Sequence, residues 1–379
     1  MKIVIAPDSF KESLTAKQVS QAIKTGLKRV WPEAEFVCIP VADGGEGTVQ
    51  ALVDATGGKL VLTEVNAPLG NQVEAVYGVL GDGKTAVIEM AQASGLNLVP
   101  NQRRDPKLTS SYGTGQLVKH ALDAGIRRFM IGLGGSATND AGSGMLAALG
   151  VKFYNQNGDE FAPSGLALTE LSRIDISDLD ARLALCEIFV ACDVDNPLCG
   201  DRGASAVFGP QKGASAEDVI TLDQALYNFG LFTEQVTGHH VLSVKGSGAA
   251  GGMGAAWMAY TPAIVKSGID MVLDTVGLAE KLVDTDIVFT GEGCIDQQTI
   301  YGKTPVGVAK LAKAFNIPVI AVAGCTGENY QAVYQHCIDA VFPCTPRAMS
   351  LPEALAEAEV NLINTAESVG RLWQLSRCY

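Results

Sequence analysis

Short, unbroken apolar runs recur along the chain, and each ends in a loop rich in glycine, polar or acidic residues. KIVIA (2–6) runs into PDSFKES, EFVCIPV (35–41) into ADGGEGT, and RFMIGL (128–133) into GGSATNDAGSG. EIFVAC (187–192) runs into DVDNPL, DIVFT (286–290) into GEGCIDQQ, and PVIAVAG (318–324) into CTGE. Continuous runs rich in β-branched residues suit strands buried on both faces of a parallel sheet. Helical periodicities lie between several of them. Over 15–31, Val19, Ala22, Ile23, Leu27 and Val30 share one face, and Thr15 with Gln18 forms a capping box. Further helices are expected at 114–125, closed by Asp123 and Gly125, at 304–315, and over 350–375, where Ser350 and Glu353 repeat the capping box. Strand, loop and helix in alternation predict an α/β fold with right-handed crossovers.

From Gly58 to Met90 the rhythm breaks. KLVLTEVNAPLGNQVEAVYGVLGDGKTAVIEM holds strand runs joined by turn dipeptides, with no room for a helix, so antiparallel hairpins are expected there. The predicted architecture is a doubly wound parallel-sheet domain made of residues 1–59 and 269–379. An α/β domain of residues 60–268, carrying the antiparallel hairpins, interrupts it, with a cleft between the two.

Inside that segment GVLGDGKT (78–85) matches the phosphate-loop pattern GxxxxGK[ST]. The mechanism needs a strand before the loop and a helix after it, so that amides and helix N-terminus face the phosphates. Here both flanks are β-like, and Lys84 is expected at a hairpin tip. A second GKT at 302–304 has Gln297 where the first glycine would stand.

Composition narrows the function. The chain of 379 residues carries a net charge of −13, which argues against nucleic-acid or anionic-membrane partners, since both need a concentrated positive surface. Nine cysteines (38, 186, 192, 199, 294, 325, 337, 344 and 378) are scattered without a CxxC pair, as expected for free thiols in a reducing cytoplasm. Neither they nor the four histidines show zinc-ligand spacing. The apolar start MKIVIA breaks at Asp8, too short for a secretory signal, and no apolar run is long enough to span a membrane. The expectation is a cytoplasmic globular protein, with homo-oligomerisation left open.

In open α/β sheets, ligands bind outside the carboxyl ends of the strands. Five loops at those ends or at helix starts carry chemistry: Asp43 and Glu46 in ADGGEGT; the amides of Gly134 and Gly135 with Ser136, Asn139 and Asp140 in GGSATND; Asp193, Asp195 and Asn196 in DVDNPL; Glu292, Asp296 and Lys303 in GEGCIDQQTIYGK; and KGSGAAGGMGAA (245–256). Any one alone reads as a plain turn or a helix cap. Together, carboxylates and oxygen donors without histidine suit Mg²⁺, and glycine-rich amide cradles suit phosphates. The combination points to phosphoryl transfer.

PDSFKES, ADGGEGT, GGSATNDAG, CDVDNPL, GAAGGMG and TGEGCIDQQTIYGKTP, in this order and spacing, resemble the bacterial type-1 glycerate kinase family through essentially the whole chain. The resemblance implies a flavodoxin-like domain with an inserted second domain. It also implies ATP-dependent phosphorylation of D-glycerate at the 2-hydroxyl, the 3-hydroxyl being the alternative. ATP and D-glycerate are then the partners and Mg²⁺ the cofactor. Lys11 and Lys303 are expected to neutralise phosphate oxygens or the glycerate carboxylate. Asp193 and Asp296 are expected to share Mg²⁺ ligation and acceptance of the hydroxyl proton, the division between them open. Asp8, Ser9, Asp43, Glu46, Gly134, Gly135, Ser136, Asn139, Asp140, Asn196 and Lys303 complete the expected substrate and phosphate site, although Asp8 and Asp43 are also natural helix caps. The sequence departs from the family's usual loop at Ala141, where glycine is common. Two rivals fit less well. A nicotinamide-dependent dehydrogenase needs GxGxxG in its first strand-to-helix turn, and PDSFKES has no glycine. A two-domain solute-binding protein needs a secretory signal and few free cysteines.

Overall fold

The structure is a computed structural model that describes residues 1–376. The chain divides into two compact units. One holds Met1–Asp43, Gln50–Gly57 and the chain from Gly268 onward; the other holds Gly44–Val49 and Gly58–Ser267. Residues 44–49 thus group with the second unit rather than with the N-terminal segment before them.

The first unit is built on a five-stranded sheet. Its strands, from one edge to the other, are Ala340–Pro343, Val319–Ala323, Ile287–Thr290, Lys2–Ile5 and Glu35–Cys38, and every neighbouring pair is parallel. Numbered in chain order within the unit this is 2-1-3-4-5, the flavodoxin-like winding. The strand cores are fully apolar: Ile3, Val4, Ile5, Ile287, Val288 and Phe289 are all completely buried. Helix Ala16–Lys28 begins where expected. Thr15 Oγ1 accepts the Gln18 N–H at 3.3 Å, and Gln18 Oε1 accepts the Thr15 N–H at 2.9 Å. Val19, Ala22, Ile23 and Leu27 are buried, while the helix stops at Lys28, so Val30 lies beyond it. Gly26 lets this helix meet helix Ala358–Ser376 backbone to backbone, for a Cβ there would stand 2.2 Å from the Ile363 carbonyl oxygen. The tail expected as one helix is two, Leu351–Ala356 and Ala358–Ser376, with the Ser350–Glu353 capping box in place.

The second unit has a six-stranded mixed sheet in the order Ile264–Lys266, Glu187–Ala191, Arg128–Gly132, Thr85–Glu89, Gln72–Val79 and Lys59–Asn66. The first four strands are parallel and the last two antiparallel. GVLGDGKT is the turn between Gln72–Val79 and Thr85–Glu89. Asp82 accepts the N–H of Lys84 at 2.8 Å and of Thr85 at 2.9 Å, and Gly83 takes φ 67°. It is a hairpin tip. Tyr112–Asp123 ends ahead of the left-handed Gly125, as predicted. The sequence reading did not mark helix Ala216–Thr237 or the short hairpin of Lys152–Tyr154 with Arg173–Asp175.

The eight described cysteines are free thiols, and Cys378 lies outside the described residues. No helix among the described residues is long and apolar enough to cross a membrane.

Candidate active site

In a 2-1-3-4-5 sheet the winding reverses between the first and third strands, and the loops leaving their carboxyl ends border the natural ligand crevice. In the first unit those loops begin at Ala6 and Gly291. The Asp8 N–H donates to the Gly291 carbonyl at 2.8 Å, which ties the two loops together. One Asp8 oxygen accepts the Ser9 N–H at 2.6 Å and the other accepts the Thr304 hydroxyl at 2.5 Å. Burial pushes the Asp8 carboxyl up to about 7; Thr304 and the Ser9 amide oppose the shift, while the charges of Asp43 and Glu292 add to it. Glu292, 9% exposed, accepts Thr299 Oγ1 at 2.5 Å and Lys303 Nζ at 3.4 Å. Its carboxyl is also pushed up by burial, with Thr299 and Lys303 opposing. Asp296 lies 4.0 Å from the Lys303 ammonium and caps the turn Gln297–Ile300 by accepting the Gln298 N–H at 2.7 Å. Lys303 itself sits at the N-cap of helix Thr304–Ala314.

This corner therefore gathers Asp8, Asp43, Glu292 and Asp296 with the Lys303 ammonium close by. A carboxylate poised near neutral pH is suited to accept a hydroxyl proton, and the ammonium to offset anionic oxygens. Among the described residues no group of three or more His, Cys, Asp or Glu is arranged to hold a metal unaided. The carboxylates of Asp8, Glu292 and Asp296 are oxygen donors of the kind a hard cation such as Mg²⁺ takes, one or two at a time with water and phosphate in its other positions.

In the second unit the GGSATND loop leaves strand Arg128–Gly132. Gly134 and Gly135 are exposed and Ser136 half-buried, whereas Thr138, Asn139 and Asp140 are fully buried. The Asn139 and Asp140 side chains thus face inward and hold the loop. Asp140 accepts the Ser111 N–H at 2.8 Å, the Ser111 hydroxyl at 2.7 Å, and the N–H groups of Gly142 at 3.1 Å and Gly144 at 3.2 Å. Burial pushes its carboxyl up and these four donors oppose that. Asn139 donates to Ser205 Oγ at 2.9 Å. Ala141 takes the left-handed conformation, φ 56°, which glycine would adopt freely, and its methyl is tolerated at a cost of about 1–2 kcal/mol. The glycine stretch at 245–256 serves this loop. The Gly251 carbonyl accepts the Ala141 N–H at 2.9 Å, and a Cβ at Gly251 would collide with the Thr138 carbonyl.

The remaining expected residues divide between the units. Lys11, which is exposed, belongs to the first; Glu46, Asp193 and Asn196 belong to the second. Asp193 is exposed, the Asn196 amide donates to the Arg202 carbonyl at 2.8 Å, and Asp195 pairs with Arg202 at 2.7 Å. Four residues absent from the expected set prove central to these loops: Thr299, Thr304, Ser111 and Lys212. Thr304 could have been found, since it completes the second GKT at a helix start. Lys212 carried no sequence signal. It is 2% exposed, and its ammonium donates to Ser136 Oγ at 2.8 Å and to the Thr138 carbonyl at 2.6 Å.

The family model described as "Glycerate kinase family" matches residues 3–374. A relative from Haemophilus influenzae named glycerate kinase is 55% identical, covering 98% of both chains. One from Escherichia coli K12 named glycerate 2-kinase is 50% identical, covering 97% of both. A crystal structure from Salmonella typhimurium LT2, described as a candidate glycerate kinase 2, superposes with a TM-score of 0.93 over 100% of both chains at 50% identity.

Proposed function

Because the chain belongs to the glycerate kinase family, we propose that it transfers the γ-phosphoryl group of ATP to the 2-hydroxyl of D-glycerate, yielding 2-phospho-D-glycerate and ADP. The observation that carries this reading is identity of 50–55% across the whole chain to relatives named for that activity, one of them a 2-kinase.

Phosphoryl transfer is catalysed mostly by positioning and charge neutralisation. In our reading Asp8 accepts the hydroxyl proton as the substrate oxygen bonds to phosphorus and the bond from the γ-phosphorus to its bridging oxygen breaks. Its carboxyl, raised to about 7 by burial, is matched to that task at neutral pH. Lys303 and Lys11 neutralise phosphate oxygens or the glycerate carboxylate. The amides of Gly134 and Gly135, both exposed residues, with the Ser136 hydroxyl, receive anionic oxygens, and Ser9, Asp43, Glu46 and Asn196 border the substrates. Mg²⁺, when bound, supplies further charge neutralisation. Asp296 of the first unit or Asp193 of the second supplies a carboxylate for it. We place the reaction in the cytoplasm, a reading supported by the need for ATP and by the free thiols.

Incubation with D-glycerate, ATP and Mg²⁺ should yield a product that enolase accepts without a mutase. Accumulation of 3-phosphoglycerate alone would overturn the regiochemistry, and absence of turnover would overturn the function.

A further inference from the structure

Lys212 ends a short turn, Pro210–Lys212, and inserts an ammonium under the GGSATND loop. Burying a lysine is expensive unless its protons are placed, and two of them are, on Ser136 Oγ and the Thr138 carbonyl. Burial pushes the Lys212 ammonium down to about 7, and the Asp140 carboxylate pulls it back up. The same stretch of chain holds the loop a second time, through Ser205 on Asn139. Thr138 and Asn139 are sealed inside, but Ser136 stands at the solvent boundary beside the exposed Gly134 and Gly135. A hydroxyl that accepts a hydrogen bond from an ammonium has its own proton left to give, and the charge behind it makes that proton a stronger donor.

Resting on the kinase reading above, we infer that Lys212 is a positioning residue: it fixes the Ser136 hydroxyl as a hydrogen-bond donor to an anionic oxygen of a bound substrate. Two sources share that chemistry, the phosphoryl oxygens of ATP and the carboxylate of D-glycerate. Lys212 acts through Ser136 and touches neither. Its burial serves a purpose that a fully exposed lysine would not, because the ammonium stays out of reach of water and is held on Ser136 Oγ and the Thr138 carbonyl.

Calorimetric titration of ATP and of D-glycerate, separately, into the full-length wild type, Ser136→Ala, Lys212→Met and the double variant tests this. Ser136→Ala should weaken one of the two ligands about tenfold and leave the other within about twofold, and that ligand names the source. Lys212→Met should weaken the same ligand by a similar factor, and the double variant should be no worse than either single. The inference is overturned if Ser136→Ala leaves both affinities unchanged, if both ligands weaken equally, or if the two losses multiply. A purely structural Lys212 would lower the melting temperature and leave affinities alone, which also overturns it. Should Lys212→Met fail to fold, Ser136→Ala still overturns the inference if both affinities hold, with melts alongside to register the cost of leaving one Lys212 proton unplaced. Turnover of the wild type, assayed on the same preparation, decides the kinase reading independently.

Discussion

The hydroxyl of Thr304 reaches the carboxylate of Asp8 at 2.5 Å across 296 positions of chain. That bond joins the loop after the first strand to the start of the helix after the third, and it opposes the effect of burial on Asp8. Removing the hydroxyl in Thr304→Val should push the Asp8 carboxyl higher still, since the bond favours the ionised form. The acid limb of the kcat/KM profile should then move to higher pH, while Thr304→Ser should keep it near the wild-type position. A profile unchanged in Thr304→Val would remove this bond from the control of Asp8.

Asp8 should also cost the protein stability. Its carboxyl is raised in the folded state to about 7 from an ordinary value of 3.8. A raised acid pKa means that unfolding releases a proton between those two values. Stability from this group is therefore fully present below about 4 and lost as pH rises through 7. Asp8→Asn, which cannot ionise, should melt higher than wild type at pH 8 and no higher at pH 4. The same variant should lose kcat by about 10²-fold or more as a missing proton acceptor. Melts across the pH range, read beside turnover, check both halves.

Lys84 should be inert. At the hairpin tip its replacement by Ala should change kcat/KM less than about threefold, under ~0.7 kcal/mol. A hundredfold loss with the melting temperature intact would mean that GVLGDGKT binds phosphate after all.

Asp193→Asn and Asp296→Asn separate metal binding from capping. Asparagine is itself a good cap, so Asp296→Asn should keep the turn Gln297–Ile300 and the melting temperature. Loss of the charge that holds a hard cation should lower kcat/KM by at least ~10²-fold in the variant that removes it, about 2.7 kcal/mol. Raised Mg²⁺ should restore part of that. Near-wild-type rates in a Mg²⁺ titration would remove both residues from the mechanism.

Asp140 is a prediction about architecture. Its four donors include three backbone N–H groups that only an acceptor can satisfy. Asp140→Ala strands them in the interior and should cost about 2–4 kcal/mol, measured by denaturant unfolding. A loss below ~1 kcal/mol would show that the loop does not depend on this carboxylate.

The strands most legible in the sequence are those buried on both faces, because burial writes itself as an unbroken apolar run; the half-buried edge strand Glu35–Cys38 was legible because its run continues through the buried Ile39 and Val41. Ile264–Lys266 and Ala340–Pro343 sit at sheet edges, are short and only partly covered, and so left no such run. Capping boxes at Thr15 and Ser350 were readable because the interaction is local. Asp140 and Lys212 were not, for opposite reasons. An acidic residue in a glycine loop looks the same whether it points toward a ligand or toward its own backbone. Lys212, flanked by Gln211 and Gly213, looks like any solvated surface lysine until the tertiary fold places Ser136 over it.

The place of strand Lys2–Ile5 between Glu35–Cys38 and Ile287–Thr290 has a consequence for biosynthesis. One neighbour, Glu35–Cys38, is translated almost at once; the other begins past Asp286, whose side chain accepts the Lys2 amide from 284 positions away. All of Gly58–Ser267 therefore leaves the ribosome first and can fold as a unit of its own. The first strand meanwhile waits with one edge bare, an invitation to pair wrongly with another nascent chain. A chain cut short ahead of Ile287 should retain a folded second unit and still aggregate through its first five residues.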